Sequence, residues 1–302
     1  MTIMEALQWA NNKLRKADVD SPMLDAEILL AFALETNKAW LFAHFADKLK
    51  THQEEKFSSL IQQREDRVPV AYLVGKKAFY GRDFTVNTHV LIPRPETEIL
   101  VELAITILAG RDPERTLIAD LGTGSGAIAV SLAAETNLPV IAVDIDESAL
   151  QLAKKNAAVL VPNTTVDFQL GNLAEPIIRI FKTIRGQTNV QTSSVYPFKS
   201  LLITANLPYL SEVRMENLQA EVRHEPELAL RAGVDGLDAY WDLFRQLRDD
   251  RPVLPRDLIV LIEIDPEQRP AAEKLILHNF PNAKLSVHQD LHGDERVLQA
   301  HV

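Results

Sequence analysis

The sequence contains no cysteine. Disulfides, thiol nucleophiles and thiolate-held zinc are therefore excluded together. A basic excess is also missing: 32 Lys and Arg stand against 42 Asp and Glu, a formal net charge of -10. Proteins that grip nucleic acid draw much of their affinity from neutralising phosphates, so stable nucleic-acid binding is not expected. Long apolar runs are absent; stretches such as Leu258 to Ile262 are far too short to span a bilayer, so no membrane association is expected. The start Met1-Thr2-Ile3-Met4-Glu5 has no basic segment leading into an apolar one. A signal peptide is not expected there, and a cytoplasmic location is. His224, His288 and His292 do not fall at metal-ligand spacing, so no metal site is expected.

What is present suits a folded α/β protein. With 302 residues and 46% hydrophobic content, the chain can build one large domain and a smaller one. Residues 1–68 read as helices. Leu7 and Leu14 recur at helical spacing, and Ser21-Pro22 is an N-cap followed by a first-turn proline. Asp25 to Leu34 continues that helix, and a third runs from about Gln53 to Arg67. Residues 69–95 form a linker in which Val70 to Val74, Ala78 to Tyr80 and Asp83 to Val86 are β-prone pieces split by Gly75 and Gly81. The linker ends in Ile92-Pro93-Arg94-Pro95-Glu96-Thr97-Glu98, where Pro93 and Pro95 are rigid connectors and Glu98 a solvated first-turn acid. Arg94 steadies either the hinge or a bound peptide.

Residues 96–302 alternate strand and helix. Strands are expected at Leu117 to Leu121, Val140 to Val143, Val166 to Leu170, Leu201 to Ala205 and Asp257 to Ile264. Helices are expected at Ser125 to Glu135, Glu147 to Leu160, Leu237 to Asp250 and Glu267 to His278. This alternation predicts a mostly parallel sheet with helices on both faces. Lys284 to His288 and Arg296 to Ala300 would pair as an antiparallel edge. The polar stretch between Thr183 and Lys199 reads as a mobile surface loop.

Two strand ends carry chemistry. The first is Asp120-Leu121-Gly122-Thr123-Gly124-Ser125-Gly126. Glycines at 122, 124 and 126 let the chain turn tightly and let backbone approach a ligand, and the next helix points its free N–H groups at the same crevice. The glycines do not have dinucleotide spacing, which suits a nucleoside without a pyrophosphate. Asp144, closing the next strand, is placed to accept from both ribose hydroxyls, whereas Asp146 fits a helix cap better. Asp120 either braces the glycine turn or reaches the ligand. The second strand end is Asn206-Leu207-Pro208-Tyr209. A planar amide nitrogen needs both its hydrogens held before its lone pair can be turned out of conjugation. The Asn206 side-chain oxygen can hold one and the Leu207 main-chain carbonyl the other. Pro208 restricts Leu207 to extended geometry, and Tyr209 offers a flat face to the amide.

These residues resemble the class I methyltransferases that carry an Asn-Pro-Pro-Tyr motif, which include amide and adenine amino-group methylases. With leucine at its second position, the motif is closer to the Asn-Leu-Pro-Tyr of the ribosomal RNA adenine dimethylases. Phe79-Tyr80-Gly81-Arg82-Asp83-Phe84, the Pro93 to Glu98 string, His224-Glu225-Pro226, Leu228-Ala229-Leu230 with Gly233, and Gly293-Asp294-Glu295-Arg296 are similar to the release factor glutamine methyltransferases, the HemK/PrmC family. The resemblance covers nearly the whole chain. It implies a Rossmann-like seven-stranded methyltransferase domain preceded by a small helical, substrate-recognising domain and a β-hairpin linker. It implies S-adenosylmethionine as cofactor and the glutamine of the Gly-Gly-Gln loop of peptide chain release factors as acceptor. Carried over by position, Asp120, Gly122, Thr123, Gly124, Ser125, Gly126, Asp144, Asn172, Leu173 and Asn206 hold the cofactor. Asn206, Leu207, Pro208 and Tyr209 hold the glutamine. Leu207 departs from proline, but its inferred contact is a backbone carbonyl. Asn172 stands where the family usually has Asp, and Leu173 near a position that is often aromatic. An adenine amino-group methyltransferase acting on RNA or DNA is the alternative, since it shares both motifs; the net charge and the proline linker count against it. A non-catalytic relic is countered by the intact 206–209 segment.

Overall fold

The computed structural model describes residues 1–187 and 198–302. The described residues divide into two compact units. The smaller comprises Met1–Lys76, Val86–Thr88 and Leu218–Glu225; the larger comprises Lys77–Thr85, His89–Asn217 and Pro226–Val302.

The smaller unit is helical: α1 (Ile3–Lys16), α2 (Pro22–Ala33), α3 (Lys38–Ala43), α4 (Thr51–Glu65) and α5 (Val70–Val74). Thr2 and Glu5 form a reciprocal capping box that starts α1. Pro22 opens α2 as expected, but the Ser21 side chain makes no cap bond. Ile3, Leu7, Leu14, Leu29, Leu30, Leu41, Phe57 and Ile61 form one buried core. Val70–Val74 is a helical turn and not the expected strand. Pro69 precedes it with helix-compatible φ, Gly75 closes it at φ 73°, and Val70, Leu73 and Val74 pack on the helical core. Packing overrides their β preference. The segment around Glu221 is tied in by charge. Arg64 donates to Asp25 and Glu221 at 2.8 Å each, and Arg67 donates to both Glu221 oxygens at 2.8 Å.

The larger unit takes in, from Lys77 onward, a hairpin of β1 (Lys76–Phe79) and β2 (Arg82–Thr85). Tyr80 and Gly81 both take positive φ, 47° and 72°, the primed-turn geometry that matches strand twist. The other elements are α6 (Glu98–Leu108), β3 (Thr116–Leu121), α7 (Ala127–Thr136), β4 (Val140–Asp144), α8 (Glu147–Leu160), β5 (Val166–Leu170), α9 (Glu175–Gln187), β6 (Ser200–Ala205), α10 (Glu212–Glu216), α11 (Asp238–Asp249), β7 (Asp257–Glu263), α12 (Arg269–Asn279), β8 (Lys284–Gln289) and β9 (Glu295–His301). The sheet has seven strands in the order β5-β4-β3-β6-β7-β9-β8. The first five run parallel, and β9 is antiparallel to both β7 and β8. The inner strands β3, β4, β6 and β7 are covered on both faces and are apolar on both sides. Leu117, Ala119, Leu121, Leu201, Ile203, Val260 and Ile262 face α9, α11 and α12, while Ile118, Ala142, Leu202, Ile259 and Leu261 face α6 and α7.

Helix α9 was not expected. The polar loop anticipated between Thr183 and Lys199 is helical up to Gln187, and its positions 188–197 lie outside the described residues. Pro176 in the first turn, with Ile177, Ile178 and Phe181 buried at helical spacing, is the signal that could have found it. Among the described residues no helix is long and apolar enough to cross a membrane.

Candidate functional site

From β3 the chain steps outward to β4 and β5, then returns to place β6 on the other side of β3. That reversal opens a crevice beyond the carboxyl ends of β3 and β6, the place where open parallel sheets bind ligands. The glycine loop follows β3 and the Asn206 segment follows β6, so both motifs flank one cavity of about 530 Å³. Its walls include Gly122, Thr123, Gly124, Ser125, Asp144, Asn172, Leu173, Asn206, Leu207 and Pro208. Three further candidates stand behind the wall: Asp120, Gly126 and Tyr209 are not among the lining residues.

The glycine loop is built for close approach. Gly122, Gly124 and Gly126 have φ of 70°, 55° and 81°. The Gly122 and Thr123 amides both donate to the Val143 carbonyl, at 2.9 and 3.0 Å, which pins the loop to β4. A Cβ at Gly122 would come within 2.9 Å of Leu207 Cδ2, so the two motifs touch only because residue 122 has no side chain. A Cβ at Gly124 would meet nothing within 4 Å, so open space lies over the loop.

The two acids of this region have different tasks. Asp120 is fully buried, and its carboxyl accepts from the hydroxyls of Thr123 at 2.7 Å and Thr204 at 2.9 Å. Burial pushes its pKa up to about 7, against the hydrogen bonds from Thr123 and Thr204. It braces the loop from beneath. Asp144 lines the cavity; Oδ2 accepts from the Gly124 amide at 2.8 Å and Oδ1 from the Asp146 amide at 3.0 Å. Burial raises its pKa as well, opposed by those amides. Each carboxylate oxygen accepts more than one hydrogen bond, so Asp144 keeps capacity for a ligand hydroxyl. Asp146 caps α8, accepting from the Ser148 amide at 2.8 Å. Asn172 and Leu173 reach the same cavity after β5. Leu173 holds φ 53°, unusual for a leucine, and the next amide, at Ala174, donates to Gln246 Oε1 at 2.9 Å.

At the second motif, Asn206 Nδ2 donates to Thr97 Oγ1 at 3.0 Å, while Asn206 Oδ1 is buried with no partner among the described residues. An unpaired buried acceptor is costly, and here it belongs to a residue of the cavity wall. The Leu207 amide donates to the Tyr240 hydroxyl at 3.3 Å. Tyr209 packs against the core, its carbonyl accepts from Gln268 Nε2 at 2.8 Å, and burial raises its phenol pKa far above the usual value.

Sequence reasoning missed Thr97, Tyr240 and Glu263. Thr97 is buried, and it lies in the very Pro95-Glu96-Thr97-Glu98 string that drew notice as a linker. Glu98 is not a free surface acid: its Oε1 accepts from the Tyr80 amide at 2.8 Å and fastens the hairpin turn to α6. Arg94 lines the cavity. Among the described residues no group of His, Asp and Glu could hold a metal ion.

Comparison with known proteins identifies the family. Residues 5–75 match the model of the PrmC N-terminal domain and residues 114–183 that of a methyltransferase domain. A release factor glutamine methyltransferase of Bacillus subtilis is 37% identical over 99% of this chain and 97% of its own length. One from Bacillus anthracis is 35% identical over the full length of both. Among solved structures, the hMettl16 catalytic domain in complex with an RNA hairpin shares the fold, with a TM-score of 0.52 at 14% identity over 83% of this chain and 82% of that one. With two relatives above one third identity along their whole length and a family match on the helical region, this chain belongs to the release factor glutamine methyltransferase family.

Proposed function

We propose that the protein transfers a methyl group from S-adenosylmethionine to the side-chain amide nitrogen of a glutamine in a peptide chain release factor, the one in its Gly-Gly-Gln loop. The observation that carries this reading is Asn206 Oδ1: a buried acceptor without a partner among the described residues, carried by a residue of the cavity that the glycine loop also lines. When bound, S-adenosylmethionine supplies a methyl carbon on a cationic sulfonium, which departs as a neutral thioether. The open space over Gly124 and the remaining acceptor capacity of Asp144 fit its nucleoside. Asp144 would receive the ribose hydroxyls, the loop 122–126 would lie along the ligand, and Asn172 and Leu173 would border the base. Asn206 Oδ1 and the Leu207 carbonyl would accept the two amide hydrogens and turn the nitrogen lone pair toward the methyl carbon; as the N–C bond forms and the S–C bond breaks the amide becomes cationic and acidic, and one of its two N–H protons then leaves to solvent. Placement contributes most of the rate.

Asn206→Ala is expected to lower single-turnover methylation about 100- to 1,000-fold, as loss of a preorganised hydrogen-bonding group does. Affinity for S-adenosylhomocysteine should persist. The substrate is intact release factor, with a glutamine-to-alanine form as blank and an adenine-containing RNA as a further arm. Substantial turnover by Asn206→Ala, or methylation of the blank or the RNA instead, defeats the reading.

Residues 1–68 are read as the part that recognises the protein substrate, and residues 96–302 as the catalytic part. No residue of the smaller unit lines the cavity. The helical unit exposes large apolar side chains, among them Leu24 and Phe42, which is 49% accessible. Phe42→Ser should raise KM for release factor about fivefold or more if this side chain anchors the contact, and leave S-adenosylhomocysteine affinity unchanged. An unchanged KM removes Phe42 from the recognition surface. The reading includes action in the cytoplasm, where release factors work, without stable nucleic-acid binding.

A further inference from the structure

Two hydrogen-bond chains converge on Glu263, the last residue of β7. In the first, Thr97 is hydrogen-bonded to the Glu263 carboxyl, and Thr97 Oγ1 accepts from Asn206 Nδ2 at 3.0 Å. In the second, the Tyr240 hydroxyl donates to the Glu263 main-chain carbonyl and accepts from the Leu207 amide at 3.3 Å. Thr97, Tyr240 and Glu263 are 4%, 0% and 1% exposed, so water does not substitute for these partners.

Each chain runs one way. A hydroxyl has a single proton. Above the pH at which its buried carboxyl holds a proton, Glu263 is ionised; Thr97 then gives its proton to the carboxylate and can only accept from Asn206. Tyr240 gives its proton to the Glu263 carbonyl and can then only accept from Leu207. An Asn206 amide turned over would present oxygen to Thr97, where no proton remains, and would place its NH₂ where a substrate N–H must go. Glu263 Oε2 has no partner among the described residues. A buried carboxyl with an unpaired oxygen costs stability, so packing alone does not account for it.

We infer that Thr97, Tyr240 and Glu263 are positioning residues whose two one-way hydrogen-bond chains fix the Asn206 amide and the Leu207 peptide in the orientation that receives the substrate amide. The inference rests on the amide-acceptor reading given above.

The test compares Thr97→Val, Thr97→Ser and Tyr240→Phe with Asn206→Ala in the full-length enzyme. The readouts are kcat and KM on release factor and calorimetric affinity for S-adenosylhomocysteine. Thr97→Val and Tyr240→Phe should each lower kcat roughly 10- to 100-fold, the scale of a small misplacement of a reacting group. KM and S-adenosylhomocysteine affinity should stay within about threefold, marking a loss felt in the transition state. Thr97→Ser keeps the hydroxyl and should restore most of the turnover. Wild-type kcat in both Thr97→Val and Tyr240→Phe, with Asn206→Ala inactive, overturns this inference and leaves the amide reading standing. Equal loss in Thr97→Ser and Thr97→Val also overturns it. Wild-type turnover by Asn206→Ala overturns the amide reading itself, and the inference with it. Should Thr97→Val fail to fold, the near-isosteric Tyr240→Phe decides.

Discussion

Asp120, one residue before the end of β3, and Asp144, the last of β4, stand on neighbouring strands, yet they answer to different surroundings. Asp120 sits under the glycine loop with two hydroxyl donors and no share of the cavity wall. Asp144 is on the wall, and its in-chain bonds, to the Gly124 and Asp146 amides, leave lone pairs over. Asp144→Ala should therefore weaken S-adenosylhomocysteine binding by about 1.5–3 kcal/mol, the range for hydrogen bonds to a charged group, roughly ten- to a hundredfold in affinity. Calorimetric titration of the folded variant measures it, and unchanged affinity would remove Asp144 from the ribose site. The same variant loses the tie to Gly124, so some of the effect would come through a looser loop.

At the scale of elements, the hairpin and the glycine loop are held by one side chain. Asn156 on α8 is buried; its Oδ1 accepts from the Thr85 amide at 2.9 Å, and its Nδ2 donates to the carbonyls of Thr85 at 3.0 Å and Ser125 at 2.9 Å. One asparagine thus ties the end of β2 to the turn between β3 and α7. Asn156→Ala would strand a main-chain donor and acceptors with little water to replace the amide. It should cost about 1–3 kcal/mol for each group left unsatisfied, read from the urea midpoint. A midpoint within experimental error of wild type would show that the hairpin is held otherwise. The hairpin itself was legible in the sequence, because Tyr80-Gly81 supplies positive φ between two apolar pieces. Its attachment was not, because Asn156 lies 71 residues away and reads in sequence as an ordinary polar position of a helix.

For the molecule as a whole, buried carboxyls give stability a slope with pH. The folded-state pKa values of Asp120 and Glu263 are both raised by burial to about 7. Between their ordinary carboxylate range and pH 7 the native state keeps protons that the unfolded chain has lost. Stability therefore falls as pH rises through that window and levels off above it, by at most about 1.4 kcal/mol per pH unit for each group. Glu221 in the smaller unit has the opposite sign. Arg67 and Arg64 hold its pKa down at about 2 against burial, so its contribution is complete above the usual carboxylate range and is lost as pH falls toward 2. Urea unfolding from pH 4.5 to 7.5 should show the decline. Glu263→Gln, which does not titrate, should flatten part of it; an equally steep decline in that variant would show that Glu263 is ionised throughout.

The sequence alone determined the sheet and where its chemistry lies. Apolar strands such as Leu117 to Leu121 and Leu201 to Ala205 can be satisfied only by burial on both faces, and parallel strands deliver all their carboxyl ends to one side. Motifs written at two such ends, at Gly122 and Asn206, must then meet, and they line one cavity. Family resemblance at the proline linker and the 206–209 segment narrowed the chemistry further. What tertiary structure decided is whatever depends on partners distant in the chain. Val70–Val74 is helical because a helical core receives it. The residues Leu218–Glu225 join the smaller unit because Arg64 and Arg67 bind Glu221 more than 150 positions away. Thr97 reaches both Asn206 and Glu263 only because α6, which it precedes, packs on β6 and β7 where they lie side by side. Local patterns fix period and polarity, which every residue carries with it. A hydrogen bond between two buried side chains needs both in place, and no stretch of sequence holds both.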